Sequence, residues 1–376
     1  MDLALQKTLA LVAMMGIGLL LRGKVNEPQL GGLKLLILSV ALPATIFLAL
    51  LKIDVGAGLW SLPLLAIGFN LFLLGATRLF ISLAGIGVRS REARTLLLLA
   101  PSLAPGLSSF PYISEYLGNT PLAWAAIADV GNKAFVLIGL YLLALHWHGR
   151  WRASGRDASG IRRVRTLVRS LVSEPVNAAI VAGLMLAGFG VRLDSLPLFV
   201  QDVAGRLSGV MTPLILMFIG LAVRIDWHRA RGIALLLFWR AGFSLLFAAL
   251  LLTWLPIPSI ELRLLAVVFS LSACSFWPFA HMSAIDAMEH GRPDVARTAD
   301  TGLALGVLAL SLPFSTLLVL GVCAAGDFFA TSGHVLGAAC ICLAVACGPL
   351  AWRHLGILRA VKRSAPADAH VEPVSA

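Results

Sequence analysis

Thr95–Leu117 reads TLLLLAPSLAPGLSSFPYISEYL. The run is long enough to cross a bilayer, which takes roughly 20 apolar residues. Yet it holds Pro101, Pro105, Gly106 and Pro111 within eleven residues. Proline removes a backbone donor and crowds the preceding turn, and glycine weakens a helix further. A continuous helix is therefore not expected. In lipid each freed backbone group must find a partner, so such a break is tolerated only where it faces protein or a cavity. The bland alternative is that the prolines merely kink the helix. Against it, 263–289 carries a second interruption at Ser270, Ser272, Ser275 and Pro278.

Outward from these two segments the chain keeps the same character. Of 376 residues 59% are hydrophobic and only 13% charged, with mean hydropathy +0.90. A soluble domain is nearer one quarter charged, so the bilayer is the solvent this chain is built for. Eleven spans are predicted, at about 3–21, 29–51, 59–85, 95–117, 121–147, 172–191, 197–223, 232–255, 263–289, 295–322 and 334–356. They are too long, and lack the alternation, for strands of a membrane barrel, so helices are expected.

The net charge of +11 falls between the apolar runs and so belongs to loops, not to nucleic-acid binding. The loops after odd-numbered spans carry Arg22 and Lys24, then Arg89, Arg91 and Arg94, a basic run over 150–169, Arg224, Arg229 and Arg231, and Arg292 and Arg297. The tail adds Arg353, Arg359, Lys362 and Arg363, whereas the opposite side has little beyond Lys7, Lys52, Arg192 and Arg263. Cytoplasmic loops collect Lys and Arg, which predicts an inner (cell) membrane protein with its N-terminus outside and its C-terminus in the cytoplasm. The five cysteines all lie in apolar segments and show neither metal-ligand nor disulfide spacing.

The halves echo each other. Span two reads LSVALPATIFLALLKID (Leu38–Asp54) and span seven LSGVMTPLILMFIGLAVRID (Leu207–Asp226). SFP (Ser109–Pro111) in span four pairs with SFWP (Ser275–Pro278) in span nine, and ADVGN (Ala128–Asn132) in span five with ADTG (Ala299–Gly302) in span ten. The matches keep their order, and five spans per copy is odd, so the second copy enters the membrane inverted, a mark of secondary transporters. The expected organisation is a five-helix repeat over 1–147, a basic cytoplasmic linker over 148–170 and a second, inverted repeat over 171–322. An additional helix over 323–357 and a disordered cytoplasmic tail over 358–376 follow.

Two interrupted segments at matching positions are the best sequence pointer to a transport site. Pro105, Gly106, Ser108, Ser109 and Pro111 in span four, and Cys274, Ser275 and Pro278 in span nine, are the candidate crossover and substrate-binding residues. Asp129, Asn132 and Lys133 lie deep in span five. Asp129 and Lys133 are spaced i,i+4, share a helix face and can pair. Ionisable groups at membrane depth are costly and are functional candidates by default; the alternative is an ion pair that locks helices together. Asp300 lies near the start of its span and reads equally as a surface position. Arg206, Arg240 and Arg78 are expected to snorkel to an interface, and His281 to be packed and hydrogen-bonded.

ALPATIF in span two resembles a signature of the auxin efflux carrier (AEC) family of permeases, in the bile acid/arsenite/riboflavin transporter superfamily. FPYISEYLG (Phe110–Gly118), EPVNAAIVAGLMLAGFG (Glu174–Gly190) and TPLILMFIGLAV in span seven resemble other landmarks of that family. The resemblance covers nearly 5–322. It departs where the family places Asn (here Ala104), Gly (here Ser109) and an early span-nine proline (here Cys274). What it implies is an all-α polytopic fold, an inverted 5+5 transmembrane-helix repeat with two crossed broken helices like those of sodium–proton antiporters and bile-acid symporters. The extra C-terminal transmembrane helix is an addition to that pattern. It further implies transport of a small organic anion.

The expected function is therefore a secondary active transporter of a small organic anion, working by alternating access, with Na⁺ or proton coupling open and no other cofactor or metal. The alternative is a channel-like, sensory or scaffold membrane protein. No P-loop, HExxH or GxSxG motif is present, so neither ATP-driven transport nor an intramembrane hydrolase is expected. The expected partners are the anion and the lipid bilayer, without nucleic acid; a homodimer is left open.

Overall fold

A computed structural model gives the architecture. It describes residues 3–52, 59, 61–149, 174–222, 227–289 and 297–364. Among these no strand occurs. The basic linker, but for its first residues, and the end of the tail lie outside the described residues.

The helices are α1 (Leu3–Leu21), α2 (Glu27–Leu50), α3 (Ser61–Leu83), α4 (Arg91–Leu99), α5 (105–117), α6 (Asn119–His148) and α7 (Pro175–Gly188). They continue as α8 (Leu198–Ala222), α9 (Trp227–Trp254), α10 (Ile260–Ser270), α11 (Trp277–Met288), α12 (Thr301–Ala325) and α13 (Ser332–Ser364). Six of the described helices are long and apolar enough to cross a membrane, namely α2, α3, α6, α8, α9 and α12 with its extension. Large apolar side chains such as Leu20, Phe189, Leu198 and Trp254 stand on the outside of the bundle, as a lipid-facing surface requires. The last helix runs beyond the predicted 356 to Ser364, so 358–364, expected as tail, is helical.

The predicted interruptions are real. Span four is two helices, α4 and α5, joined by non-helical backbone over 100–104, and span nine is α10 and α11 joined over 271–276. Pro105 and Pro278 sit in the first turn of the helices that follow, where a missing N–H costs nothing. In α2, Pro43 cannot donate to the Ser39 carbonyl four residues earlier. The helix widens there into a π-turn over Ile37–Ala41. A second π-turn, Phe135–Gly139, lies in α6.

Packing follows from small residues and aromatics. α1 lies along the second half of α8, and a methyl group placed on Gly18 would stand 2.1 Å from the Met217 carbonyl oxygen, as one on Gly220 would from that of Met15. Only bare glycine permits so close an approach, the usual device for helix contact in lipid. α2 packs against α7 and the first half of α8, α3 against α6, and α9 against α3, α10, α12 and α13. Between α3 and α9 sit Phe69, Phe72, Trp239, Phe243 and Phe247, and the Trp239 indole N–H donates to the Ala76 carbonyl at 2.8 Å. The buried His148 Nδ1 meets Glu289 Oε1 at 2.8 Å. Glu289 also accepts from the Thr298 N–H and hydroxyl, which ties the end of α6 to the start of the chain leading into α12.

Candidate functional site

The two non-helical stretches cross and satisfy each other. The Ala104 N–H donates to the Ala273 carbonyl at 2.8 Å. The Ala273 N–H donates to Ser108 Oγ and the Ser275 N–H to Ser102 Oγ, both at 2.9 Å. The hydroxyls of Ser109 and Ser272 lie 2.9 Å apart. Ser102 and Ser272 each turn back to the carbonyl three residues earlier, Leu99 and Phe269, at 2.6 Å. The serines of both breaks therefore replace the backbone bonds that the missing turns would have made. In an apolar medium each such group left bare would cost several kcal/mol.

Side chains from three other helices complete the crossing. Asn132 of α6 accepts from the Leu103 N–H at 3.2 Å and donates to the Leu103 carbonyl at 3.0 Å. Its Nδ2 also donates to Asp129 Oδ1 at 2.7 Å, and its Oδ1 accepts from Asn70 Nδ2 at 3.2 Å. Two donors and two acceptors are thus all used, which sets the orientation of the amide. Ser311 of α12 accepts from the Cys274 N–H at 2.7 Å. Arg240 of α9, 4% exposed, donates to the carbonyls of Ala100 and Ser102 at 2.8 and 3.0 Å. Its charge stands at the C-terminal end of α4, where the helix dipole is negative. Arg240 does not snorkel as expected; the uncapped carbonyls of the broken helix hold it inside.

Beside the crossing α6 presents a buried ionic group. Lys133 Nζ lies 3.4 Å from Asp129 Oδ2 and 3.0 Å from Glu174 Oε1, and it donates to Asn177 Oδ1 at 3.3 Å. Asn177 donates in turn to Glu174 at 3.3 Å. One ammonium faces two carboxylates, so with all three ionised the group carries one net negative charge.

This group forms a wall of a cavity of about 520 Å³, within the usual size for a small-molecule site. α2 supplies Lys34, Leu38, Ser39 and Leu42 to it; α6 supplies Asp129, Asn132, Lys133 and Val136. The chain at 103–107, the start of α7 at 174–176, and Ser275, Phe276 and Trp277 close the rest. Most of the lining is apolar.

Of the sequence-predicted residues, Pro105, Gly106, Ser275, Asp129, Asn132 and Lys133 line the cavity. Ser108, Ser109 and Cys274 lie in the crossing itself. Pro111 follows the non-helical Ser109 inside α5 and Pro278 occupies the first turn of α11; neither lines the cavity. Asp300 caps α12, accepting from the Leu303 N–H at 2.9 Å, and is not in the cavity wall. Arg78 and Arg206 are exposed, and Arg206 pairs with Asp202. His281 is packed edge-on to Tyr141, but neither of its nitrogens has a hydrogen-bond partner among the described residues. The cysteines are free. Among the described residues no group of three His, Cys, Asp or Glu side chains could hold a metal.

Sequence reading passed over Lys34, Glu174, Asn177 and Arg240 as site residues. Lys34 had a signal, an ammonium inside a predicted span. Glu174 lies near the start of the predicted span 172–191, and only the fold turns it onto Lys133. No protein-family model matches this chain, and no curated protein does.

Proposed function

We propose that this chain is a secondary transporter that moves a small organic anion across the cell membrane by alternating access, with the 520 Å³ cavity as its substrate site. The observation that carries the reading is the convergence of two interrupted helices and a buried ionic group on one cavity. Broken helices at membrane depth are stable only where they line a cavity or are held by protein, and such breaks build the sites of transporters.

The packing supports an inverted five-plus-five repeat. α1 with α8 and α7 with α2 are span one with seven and six with two; α3 with α6 and α9 with α12 are span three with five and eight with ten. Each pair becomes the other when five spans are added. Asn132 and Ser311, one from each half, bond the backbone of the break in their own half. The quoted motifs favour a permease similar to the auxin efflux carriers, and the basic loops favour an inner membrane with the C-terminus in the cytoplasm. The cavity, bounded by the chain entering α2 and α7, would then open to the cytoplasm. Asp129, Lys133 and Glu174 are the ion-coupling group: a proton or Na⁺ would cancel their net negative charge.

Reconstitution into liposomes tests this. Saturable uptake of a labelled carboxylate, raised by an imposed Na⁺ or proton gradient, is expected. Flux that does not saturate and ignores both gradients would mean a channel, and no flux of any carboxylate would remove the transport reading.

A further inference from the structure

The cavity holds two lysines in opposite situations. Lys133 is neutralised twice over, by Asp129 and Glu174. Lys34, half-buried on α2, has no carboxylate within ion-pair distance among the described residues. Its ammonium rests 4.0 Å above the centre of the Phe276 ring. Such a contact attracts the cation to the ring face but leaves the charge unneutralised.

Phe276 is also the cap residue of α11 (Trp277–Met288). The positive end of that helix dipole therefore enters the cavity beside Lys34. Pro278 contributes no N–H there, and the Trp277 N–H is turned toward Ser275 Oγ at 3.3 Å. Two positive poles side by side, in a mostly apolar cavity, favour an anion between them.

We infer that Lys34 is the residue that anchors the substrate's anionic group, which draws the ammonium off Phe276 beside the start of α11, and that the site accepts one negative charge. The inference rests on the proposed transport of an organic anion and deepens it. Lys133 has no charge to spare, so it belongs to the coupling group. A second carboxylate on the substrate would meet Asp129 and Glu174, which repel it. The substrate class is a monocarboxylate, or another singly charged organic anion, rather than a dicarboxylate.

The test is ligand binding to the purified full chain by calorimetry. Acetate, butyrate, hexanoate and benzoate are the monoanions, succinate the dianion, and benzamide the neutral counterpart of benzoate. At least one monocarboxylate should bind, succinate and benzamide more weakly. Lys34→Gln should weaken the monocarboxylate by about tenfold or more, the scale of one charge-assisted hydrogen bond. Lys34→Arg, which keeps the charge, should restore most of it. Lys34→Met serves as a second charge-removing variant, and melting without ligand verifies the fold of each. Equal monocarboxylate affinity in wild type, Lys34→Gln and Lys34→Met would overturn the role of Lys34 and leave the transport reading standing. Preference for succinate would overturn the single-charge site. Binding of none of the carboxylates to wild type would overturn both readings.

Discussion

Replacing Lys133 with Met keeps the length of the side chain but removes the ammonium that Asp129 and Glu174 share at 3.4 and 3.0 Å. Both carboxylates then face each other's charge with Asn132 and Asn177 as their remaining named donors. Breaking a buried ion pair by removing one partner costs about 3–5 kcal/mol. At roughly 1.3 °C per kcal/mol, from an unfolding entropy of about 2.1 cal/mol/K per residue over 376 residues, the apparent melting temperature in detergent should fall by about 4–6 °C. Glu174→Gln alone leaves Lys133 paired with Asp129 and should cost less, and added to Lys133→Met it should recover part of the loss. Fluorescence-detected melting decides the matter. A Lys133→Met protein as stable as wild type, or one that Glu174→Gln does not partly restore, would refute the reasoning.

Three further substitutions probe the crossing and the scaffold. Asn132→Asp puts an acceptor where Nδ2 now donates to Asp129 and the Leu103 carbonyl; it should destabilise more than Asn132→Ala, which costs about 1–3 kcal/mol for each buried group left bare, and equal melting temperatures would contradict the assigned amide orientation. Arg240→Leu strands the carbonyls of Ala100 and Ser102 at a similar cost for each. Arg240→Lys should recover only part, because a single ammonium cannot reproduce the fork, and full recovery in a melting assay would argue against two-point capping. Gly18→Val and Gly220→Val each push a side chain into backbone 2.1 Å away, an overpacking penalty of about 1–3 kcal/mol. The melting-temperature loss of the double variant should be well below the sum of the two single losses, since both force apart the same pair of helices.

Much of the site was legible in the chain alone because the constraints that wrote it are local. Apolar length and the scarcity of charge determined a helical membrane protein: without water in the bilayer core, only runs that satisfy their own backbone are tolerated. Pro101, Pro105 and Gly106 determined that span four must break, since proline lacks a donor and crowds the turn before it. Spacing i,i+4 put Asp129 and Lys133 on one face. What the tertiary structure alone decided is which groups answer these needs across the chain. Glu174, 41 residues after Lys133 by sequence number, becomes its second carboxylate only once α7 packs beside α6. Arg240, expected at an interface, is drawn inside by carbonyls of a helix end 138 and 140 residues away. Lys34 is an ordinary lysine on α2 until Phe276 is folded beneath it. Backbone propensity and hydropathy act over a few residues and can be read in order along the chain. Electrostatic and hydrogen-bond partnerships act over about 3 Å of space, and that proximity exists only after the helices have packed.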